Sequence, residues 1–215
     1  MIDTTLTLYH SAGSPNSRRV RMFIAEKGID IPLVPVNLGE KAQFSDWYRA
    51  INPWQQVPAL TLGDGSAIAE VPAIHRYLEE RFPEPALLGR DAKEKALVAM
   101  WERRVELEGF APTMEGVRNA ASGLKGRALS GLHDYPQIPE LVERSKARVA
   151  NFHADFNARL ETTPFIAGET FSAADITALV TVDFAALALK MPIPEGHEAM
   201  QRWYDTVSAR PSAKA

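Results

Sequence analysis

The spacing of apolar residues divides the chain into two parts. Over residues 1–83, short alternating runs and turns are interleaved with helical stretches. From about residue 92 onward, apolar residues recur almost throughout at the spacing of an amphipathic helix. We therefore predict an α/β unit followed by an all-α unit.

The first part predicts the order strand–helix–strand–helix–strand–strand–helix. The segment 5–9 alternates polar and apolar residues, as a half-buried strand does, and Gly28 is a natural stop for the helix that follows. Pro32 and Pro35 interrupt the next apolar run, so we place this strand at the edge of the sheet. The turn at 63–66 separates two short apolar runs and indicates a hairpin. This order predicts a mixed sheet covered by helices.

The second part predicts four long helices and one long connection. The segment 122–139 is rich in Gly and Pro and is expected to be a loop. The proline-rich segment at 84–91 is expected to be a stiff linker. We therefore predict a first domain over 1–83, a linker over 84–91 and a helical domain over 92–215.

Composition and charge narrow the possible functions. Of the 215 residues 46% are hydrophobic and 24% are charged, as in ordinary soluble proteins. The formal charge is −3 and no basic run occurs, so we expect no nucleic-acid or membrane partner. The chain has no cysteine, and its five histidines lack metal-type spacing, so we expect no metal. No signal peptide or membrane-spanning run is evident, and we expect a cytoplasmic protein.

The connection between the first strand and the first helix is the most informative local stretch. Gly13 permits a tight turn, Ser14 is suited to cap the helix, and Pro15 suits the first helical position. The first amides of such a helix are unpaired and attract anions and thiolates. Ser14 is therefore either a simple cap or part of a ligand site.

Two further segments carry the same kind of ambiguity. Pro58 either begins a strand in the ordinary way or forms a cis bond that turns the backbone of Val57 outward toward an extended peptide ligand. Glu70 and Val71 precede the third helix, where a carboxylate either stabilises the helix dipole or binds an ammonium group. In contrast, we interpret the segment 172–175 as a structural capping box.

Taken together, these motifs resemble those of the glutathione transferase superfamily over nearly the whole chain. The likeness rests on the order and spacing of the motifs, namely Gly13-Ser14-Pro15, Asn52-Pro53, Gln56-Val57-Pro58-Ala59-Leu60, Glu70, and Phe171-Ser172-Ala173-Ala174-Asp175-Ile176. The resemblance implies a thioredoxin-like βαβαββα domain that binds glutathione, followed by an all-helical domain. It also implies a homodimer, glutathione as co-substrate and a role in detoxification.

The resemblance assigns roles to individual residues. Ser14 would donate a hydrogen bond to the glutathione sulfur, and Asn16 would lie beneath that sulfur, as in a bacterial branch of the family. The backbone of Val57, before a cis Pro58, would pair with the cysteinyl part of glutathione. The remaining contacts would involve the γ-glutamyl end at Glu70 and Val71 and the glycyl end at Gln43 and Gln56.

The chain departs from the family pattern at two positions. The usual Glu-Ser pair is Glu70-Val71 here, and the usual Gly-Lys before Val-Pro is Gln55-Gln56. Both changes predict weakened or rearranged glutathione binding. The segment 100–109 is similar to the yeast type-two enzymes, in which a bound water is thought to activate the thiol. In that case, Ser130 and His133 are candidate water-holding residues.

The second substrate is expected to be a small hydrophobic electrophile held between the domains. Phe110, Met114 and Arg118 are the expected lining of its pocket. Conjugation of the glutathione thiolate is the leading function. The alternatives are glutathione-dependent peroxide reduction or isomerisation on the same scaffold, and a non-catalytic binding module.

Overall fold

The computed structural model describes residues 3–215, which form two compact units. The first unit ends at Pro85 and also includes Lys214–Ala215, whereas the second comprises Ala86–Ala213. Residues 86–91 of the expected linker therefore belong to the second unit.

The first unit contains the predicted order of strands and helices, which confirms the thioredoxin-like arrangement. A 3₁₀ turn over Ala42–Phe44 precedes α2, so the irregular helix expected near residues 43–51 consists of two pieces. The regular elements are β1 (Thr7–His10), α1 (Pro15–Glu26), β2 (Leu33–Pro35), α2 (Asp46–Ile51), β3 (Ala59–Thr61), β4 (Ala67–Ala69) and α3 (Val71–Arg81).

The four strands form one mixed sheet in the order β2–β1–β3–β4. β1 is parallel to β2 and antiparallel to β3, which in turn is antiparallel to β4. The proline-containing strand β2 lies at the edge, as predicted, because a proline has no N–H to donate and is tolerated where no second neighbouring strand needs one. In the central register Tyr9 pairs with Ala59, and Ala59 pairs with Ala69.

Helix α1 begins and ends as its sequence predicts. Ser14 has extended backbone angles and its side chain accepts the Ser17 N–H, while Pro15 occupies the first turn. Gly28 has φ +63°, the left-handed conformation that commonly follows a helix end. The inner face of α1 buries Val20, Phe23 and other apolar side chains in the core of the first unit.

A buried ion pair joins the end of α1 to α3. The Lys27 ammonium lies 2.5 Å from the Glu79 carboxylate, and both side chains are almost fully buried. The same ammonium donates to the carbonyl oxygens of Pro83 and Pro85 at 3.4 and 2.6 Å. Lys27 therefore holds the last residues of this unit against its first helix.

The second unit is helical, as predicted, but it has five helices rather than four, because a π-helical turn divides the first expected helix after Val105. They are α4 (Ala92–Val105), α5 (Ala111–Ala120), α6 (Glu140–Leu160), α7 (Ala173–Phe184) and α8 (Glu198–Ser208). The segment between α5 and α6 is a loop with one 3₁₀ turn at Ser122–Leu124, which confirms the expected connection. Among residues 3–215, no helix is long and apolar enough to cross a bilayer.

Two π-helical turns were not predicted. One, Glu106–Phe110, joins α4 to α5, and the other, Ala185–Leu189, extends α7. In the first turn Gly109 lies against the ring of Phe152, and the Thr113 hydroxyl donates to the Gly109 carbonyl at 2.8 Å. Close packing and a side-chain hydrogen bond thus accompany the wider turn, a combination that apolar periodicity cannot indicate.

The predicted capping box begins α7. The Ser172 N–H and hydroxyl lie 3.0 and 3.1 Å from one oxygen of Asp175. The other carboxylate oxygen accepts the Ile166 N–H and the Trp203 indole N–H, both at 2.9 Å. Asp175 is fully buried and therefore links the start of α7 to a preceding loop and to α8.

Candidate functional site

One end of the sheet collects most of the residues expected to bind a ligand. Because Tyr9, Ala59 and Ala69 share a register row, the end of β1, the start of β3 and the end of β4 lie together. Ser14 follows β1, Val57 precedes β3, and Glu70 follows β4. Helices α1 and α3 both begin at this end, so their positive dipole ends lie on the same side of the sheet.

Ser14 is both a cap and a free hydrogen-bond donor. Its hydroxyl oxygen accepts the Ser17 N–H at 3.3 Å, and 9% of the residue is exposed. Capping uses an oxygen lone pair and leaves the hydroxyl hydrogen available. Within residues 3–215 that hydrogen has no acceptor. The two interpretations of Ser14 are therefore compatible.

Asn16 is oriented by a buried arginine. The Arg19 guanidinium, only 2% exposed as a residue, donates to the Asn16 amide oxygen at 3.2 Å. This contact occupies the oxygen of the amide and leaves its NH₂ group to donate elsewhere. A cation and an amide donor thus stand at the start of α1, where a thiolate would be stabilised.

The backbone of Val57 is available to a ligand. The Val57–Pro58 bond is cis, as the resemblance implied. In the described part of the chain, neither the N–H nor the C=O of Val57 has a hydrogen-bond partner. The preceding carbonyl, that of Gln56, accepts from the Tyr48 hydroxyl and the Asn52 amide. Val57 therefore presents an unpaired peptide edge of the kind that binds an extended peptide.

Glu70 has an unusual backbone conformation for a residue with a side chain. Its φ is +69° and its ψ is 124°, a sparsely populated region that is costly for non-glycine residues. Its carboxylate is exposed and has no partner among residues 3–215. Val71 is 3% exposed, and its N–H begins α3 without a described partner. Glu70 and Val71 together therefore provide one carboxylate, which can bind an ammonium group, and one backbone N–H, which can bind a carboxylate.

The two glutamines differ in their surroundings. Gln43 lies in the 3₁₀ turn before α2, and its side-chain oxygen is buried without a partner among the described residues. A buried unpaired amide oxygen is uncommon. Because this oxygen can only accept a hydrogen bond, a ligand carboxylate at Gln43 would have to be bound by the side-chain NH₂. Gln56 is half-buried beside Val57, and its carbonyl oxygen is held from within the unit.

The three residues expected to line the electrophile pocket lie one turn apart in the helical unit. Phe110 is 8% exposed, and its ring centroid lies 6.3 Å from that of Phe184. Met114 is half-buried on α5. The Arg118 guanidinium donates to the backbone carbonyls of Arg127, Ala128 and Leu129, so it anchors the loop after α5.

Ser130 and His133 lie in that loop and are both exposed. Besides its bonds to Arg118, the loop is held by Gln137, whose amide donates to two carbonyls near the end of α5. The structure thus places the two candidate water-holding residues on an anchored segment. No group of three or more His, Cys, Asp or Glu side chains suited to a metal is found among residues 3–215.

Comparison with known proteins decides the family. The descriptions "Glutathione S-transferase, N-terminal domain" and "Glutathione S-transferase, C-terminal domain" match residues 8–86 and 139–206. Glutathione S-transferase 2 of Saccharomyces cerevisiae is 32% identical over 97% of this chain and 88% of its own length. The chain belongs to the glutathione S-transferase family.

Other relatives of this transferase differ in coverage. A crystal structure of a glutathione S-transferase domain-containing protein from Marinobacter aquaeolei VT8 is 34% identical, with a TM-score of 0.88. That alignment covers 96% of this chain and 98% of the other. A maleylacetoacetate isomerase from Pseudomonas aeruginosa is 43% identical, but over only 44% of this chain and 48% of its own.

Three features of this transferase escaped the sequence analysis. They are the roles of three side chains: Arg19 orients Asn16, and Tyr48 and Asn52 hold the Gln56 carbonyl. The pair Asn52-Pro53 was noted only as a motif of the family resemblance. Gln55 has φ +58°, and the glycine that is usual there in the family was a signal for such a conformation. For the buried polar side chains, no local pattern gave a comparable signal.

Proposed function

We propose that this transferase conjugates the glutathione thiolate to small hydrophobic electrophiles. The observation that supports the proposal most directly is the set of unpaired groups at one end of the sheet, after β1, before β3 and after β4. A tripeptide that carries a thiol needs three things at one place. These are an unpaired peptide group for its backbone, charged or polar groups for its ends, and hydrogen-bond donors for its thiolate.

Each part of glutathione has a proposed partner in the first unit. The N–H and C=O of Val57 pair with the cysteinyl backbone beside cis Pro58. The carboxylate of Glu70 binds the γ-glutamyl ammonium, while the amide of Val71 binds the neighbouring carboxylate. Amide donors of Gln43 and Gln56 bind the glycyl carboxylate. The hydroxyl of Ser14 and the NH₂ of Asn16 then face the sulfur.

The physical chemistry of this arrangement suffices to form the thiolate. A free thiol has a pKa near ~8.5, and lowering it by two units requires about 2.7 kcal/mol of preferential thiolate stabilisation. A partly buried helix N-terminus contributes up to ~2 kcal/mol. One hydrogen bond to a charged acceptor contributes about 1.5–3 kcal/mol. Thiolate formation and proximity to the electrophile are therefore the proposed mechanism, without a general base.

The electrophile is proposed to contact Phe110 and Met114, because both are apolar and follow one another by a helical turn. Arg118 is a weaker member of the set, since a contact with substrate would compete with its three carbonyl partners. Isomerisation is the second candidate function, favoured by the 43% identity to an isomerase over part of the chain. Peroxide reduction and a binding-only role remain the further alternatives.

Replacement of Ser14 tests the mechanism. In titration calorimetry, Ser14→Ala is expected to keep glutathione affinity within about threefold, because the sulfur is the one part of the ligand that the hydroxyl would contact. The variant also loses the cap of α1. The pKa of the bound thiol, followed by thiolate absorbance, should rise by about one to two units. Turnover with an electrophile at neutral pH should fall in proportion to the lost thiolate.

Ser66→Ala is the matched control, because Ser66 is an exposed serine in the hairpin turn, at the other end of strands β3 and β4. An unchanged thiol pKa in Ser14→Ala would favour activation through water, and Ser130→Ala and His133→Ala would then be the informative variants. Absence of glutathione binding by the unmodified protein would instead favour the binding-only interpretation with another ligand.

Three properties of the whole protein follow from family membership as further proposals. We expect a homodimer, a cytoplasmic location and a role in detoxification. The lack of cysteine suits a protein whose only reactive thiol comes from its co-substrate.

A further inference from the structure

We propose that Tyr48 and Asn52 are positioning residues that hold the Gln56–Val57 peptide so that the Val57 N–H faces glutathione. This inference rests on the proposed function, because it assigns the support of the backbone that would bind the cysteinyl part of the ligand.

Two buried donors converge on one carbonyl oxygen. The hydroxyl of Tyr48, a residue with no exposed surface, donates to the Gln56 oxygen at 2.6 Å. The side-chain NH₂ of Asn52, a residue only 2% exposed, donates to the same oxygen at 2.7 Å. A carbonyl oxygen has two lone pairs, so both are engaged and the direction of the C=O bond is determined from two sides.

The planarity of the peptide carries this constraint to Val57. The Gln56–Val57 bond is trans, so its N–H points opposite to its C=O. Because the carbonyl points toward Tyr48 and Asn52, the Val57 N–H points away from them. That N–H has no partner among residues 3–215, and two hydrogen bonds at the carbonyl polarise the peptide and strengthen the donor.

Asn52 also organises the turn that leads to Val57. Its side-chain oxygen accepts the Trp54 N–H at 3.1 Å, and its carbonyl accepts the Gln55 N–H at 3.0 Å. The turn holds Gln55 at φ +58°, a conformation that a residue with a side chain adopts at a cost. Both polar atoms of the Asn52 side chain are thus used to present residues 55–57.

The Tyr48 hydroxyl can be removed without removing its ring. The ring packs edge-on against Tyr9 and Trp47, with centroid distances of 6.4 and 5.4 Å. Burial raises the pKa of Tyr48 to about 12, so the hydroxyl stays a donor throughout the neutral range. Tyr48→Phe therefore removes the hydroxyl that contacts the Gln56 carbonyl and the Asn52 side chain, and it preserves the ring contacts.

The experiment compares Tyr48→Phe with the unmodified protein in titration calorimetry, using glutathione and S-methylglutathione. The Kd of each ligand is expected to rise about five- to tenfold, and by the same factor, because the backbone contact does not depend on the thiol. The KM for glutathione should rise with Kd. The bound-thiol pKa and kcat at saturating glutathione should change by less than about 0.3 units and about twofold, because Ser14 and Asn16 are on another segment.

Tyr204→Phe is the matched control, since it deletes a phenol that donates to Asp183 at 2.7 Å in the helical unit. Its Kd for both ligands should equal that of the unmodified protein. A second measurement is amide hydrogen exchange at Val57 without ligand. Exchange should slow on glutathione binding in the unmodified protein and slow less in Tyr48→Phe.

The outcomes separate the two proposals. Unchanged Kd and KM in folded Tyr48→Phe, with glutathione bound normally, would overturn the positioning role and leave the proposed function intact. Loss of thermal stability without a rise in KM would show a purely structural role and overturn it as well. Failure of the unmodified protein to bind either ligand would refute the proposed function and this inference together.

Discussion

At the scale of single residues, Val71 is the departure from the family pattern with the clearest consequence. It occupies the first position of α3 and is 3% exposed, so it contributes an amide and apolar packing but no hydroxyl. We propose that the γ-glutamyl carboxylate therefore binds here with one fewer donor than in relatives with serine. A substitution that adds the hydroxyl should then increase affinity.

Val71→Ser is expected to lower the Kd of glutathione about three- to tenfold, as one hydrogen bond to a charged group does. It should also reduce the free energy of unfolding by about 1 kcal/mol or more, because a buried apolar side chain is lost. Val71→Ala is the control for that loss, since it removes the same bulk without adding a hydroxyl. Equal Kd values for the serine and alanine variants would contradict the prediction. Titration calorimetry and denaturant unfolding measure the two effects.

At the scale of elements, the start of α7 depends on one buried carboxyl group. Burial raises the pKa of Asp175 from 3.8 to about 6, although the Ile166, Trp203 and Ser172 donors lower it. Between these values the folded state keeps a proton that the unfolded state has released. The contribution of Asp175 to stability therefore falls as pH rises from about 4 to about 6, and is constant outside that range.

Asp175→Asn removes this titration. The stability of the unmodified protein minus that of the variant is expected to decrease by roughly 2–3 kcal/mol between pH 4 and pH 6, since one pKa unit corresponds to about 1.4 kcal/mol. The variant should be less stable throughout, because an asparagine cannot accept all four donors with oxygen. Urea unfolding across this pH range measures the difference, and a pH-independent difference would refute the prediction.

The π-helical turn after α4 depends on the absence of a side chain at Gly109. A Cβ there would lie 2.8 Å from two carbons of the Phe152 ring. Gly109→Ala is expected to destabilise the protein, because about 1–3 kcal/mol of overpacking outweighs about 1 kcal/mol of helix propensity. Gly123→Ala, with no atom within 4 Å of the added Cβ, should change stability little. If Gly109→Ala costs less stability in a Phe152→Leu background than in the unmodified protein, the ring contact is the cause. Thermal unfolding of the four proteins measures the difference.

At the scale of the whole molecule, the assembly is the main expectation. Several large apolar side chains are exposed on the single chain, among them Trp54 at 61% and Leu187 at 74%. Obligate homodimers bury large apolar surfaces, as the proposed assembly would. Light scattering is expected to give twice the 23.7 kDa of one chain. A mass of one chain at micromolar concentration would contradict the homodimer.

Local signals were sufficient for much of the fold. Alternation predicted β1, Gly28 marked the end of α1, and the Ser172–Asp175 spacing predicted the cap of α7. Each signal involves residues close in sequence, whose conformational preferences act before any tertiary contact forms. The same holds for the two-part division of the chain, because helical and alternating periodicity differ over many residues.

Part of the site could likewise be predicted from local motifs, and part could not. Ser14, Val57 and Glu70 could be proposed from motifs, because each stands at the end of a strand or the start of a helix. That they lie at one end of the sheet follows only from the register of β1, β3 and β4. The carbonyl partners of Arg118 lie nine to eleven residues ahead in an irregular loop, so no periodicity indicates them.

The sequence by itself determined the two-part architecture, the caps of α1 and α7 and the family to which the chain belongs. The tertiary structure alone decided the π-helical turns, the orientation of Asn16 by Arg19 and the hold of Tyr48 and Asn52 on Gln56. The reason is physical: backbone propensities and periodicity act over a few neighbouring residues, whereas a buried polar side chain takes whichever partner the folded chain brings within about 3 Å.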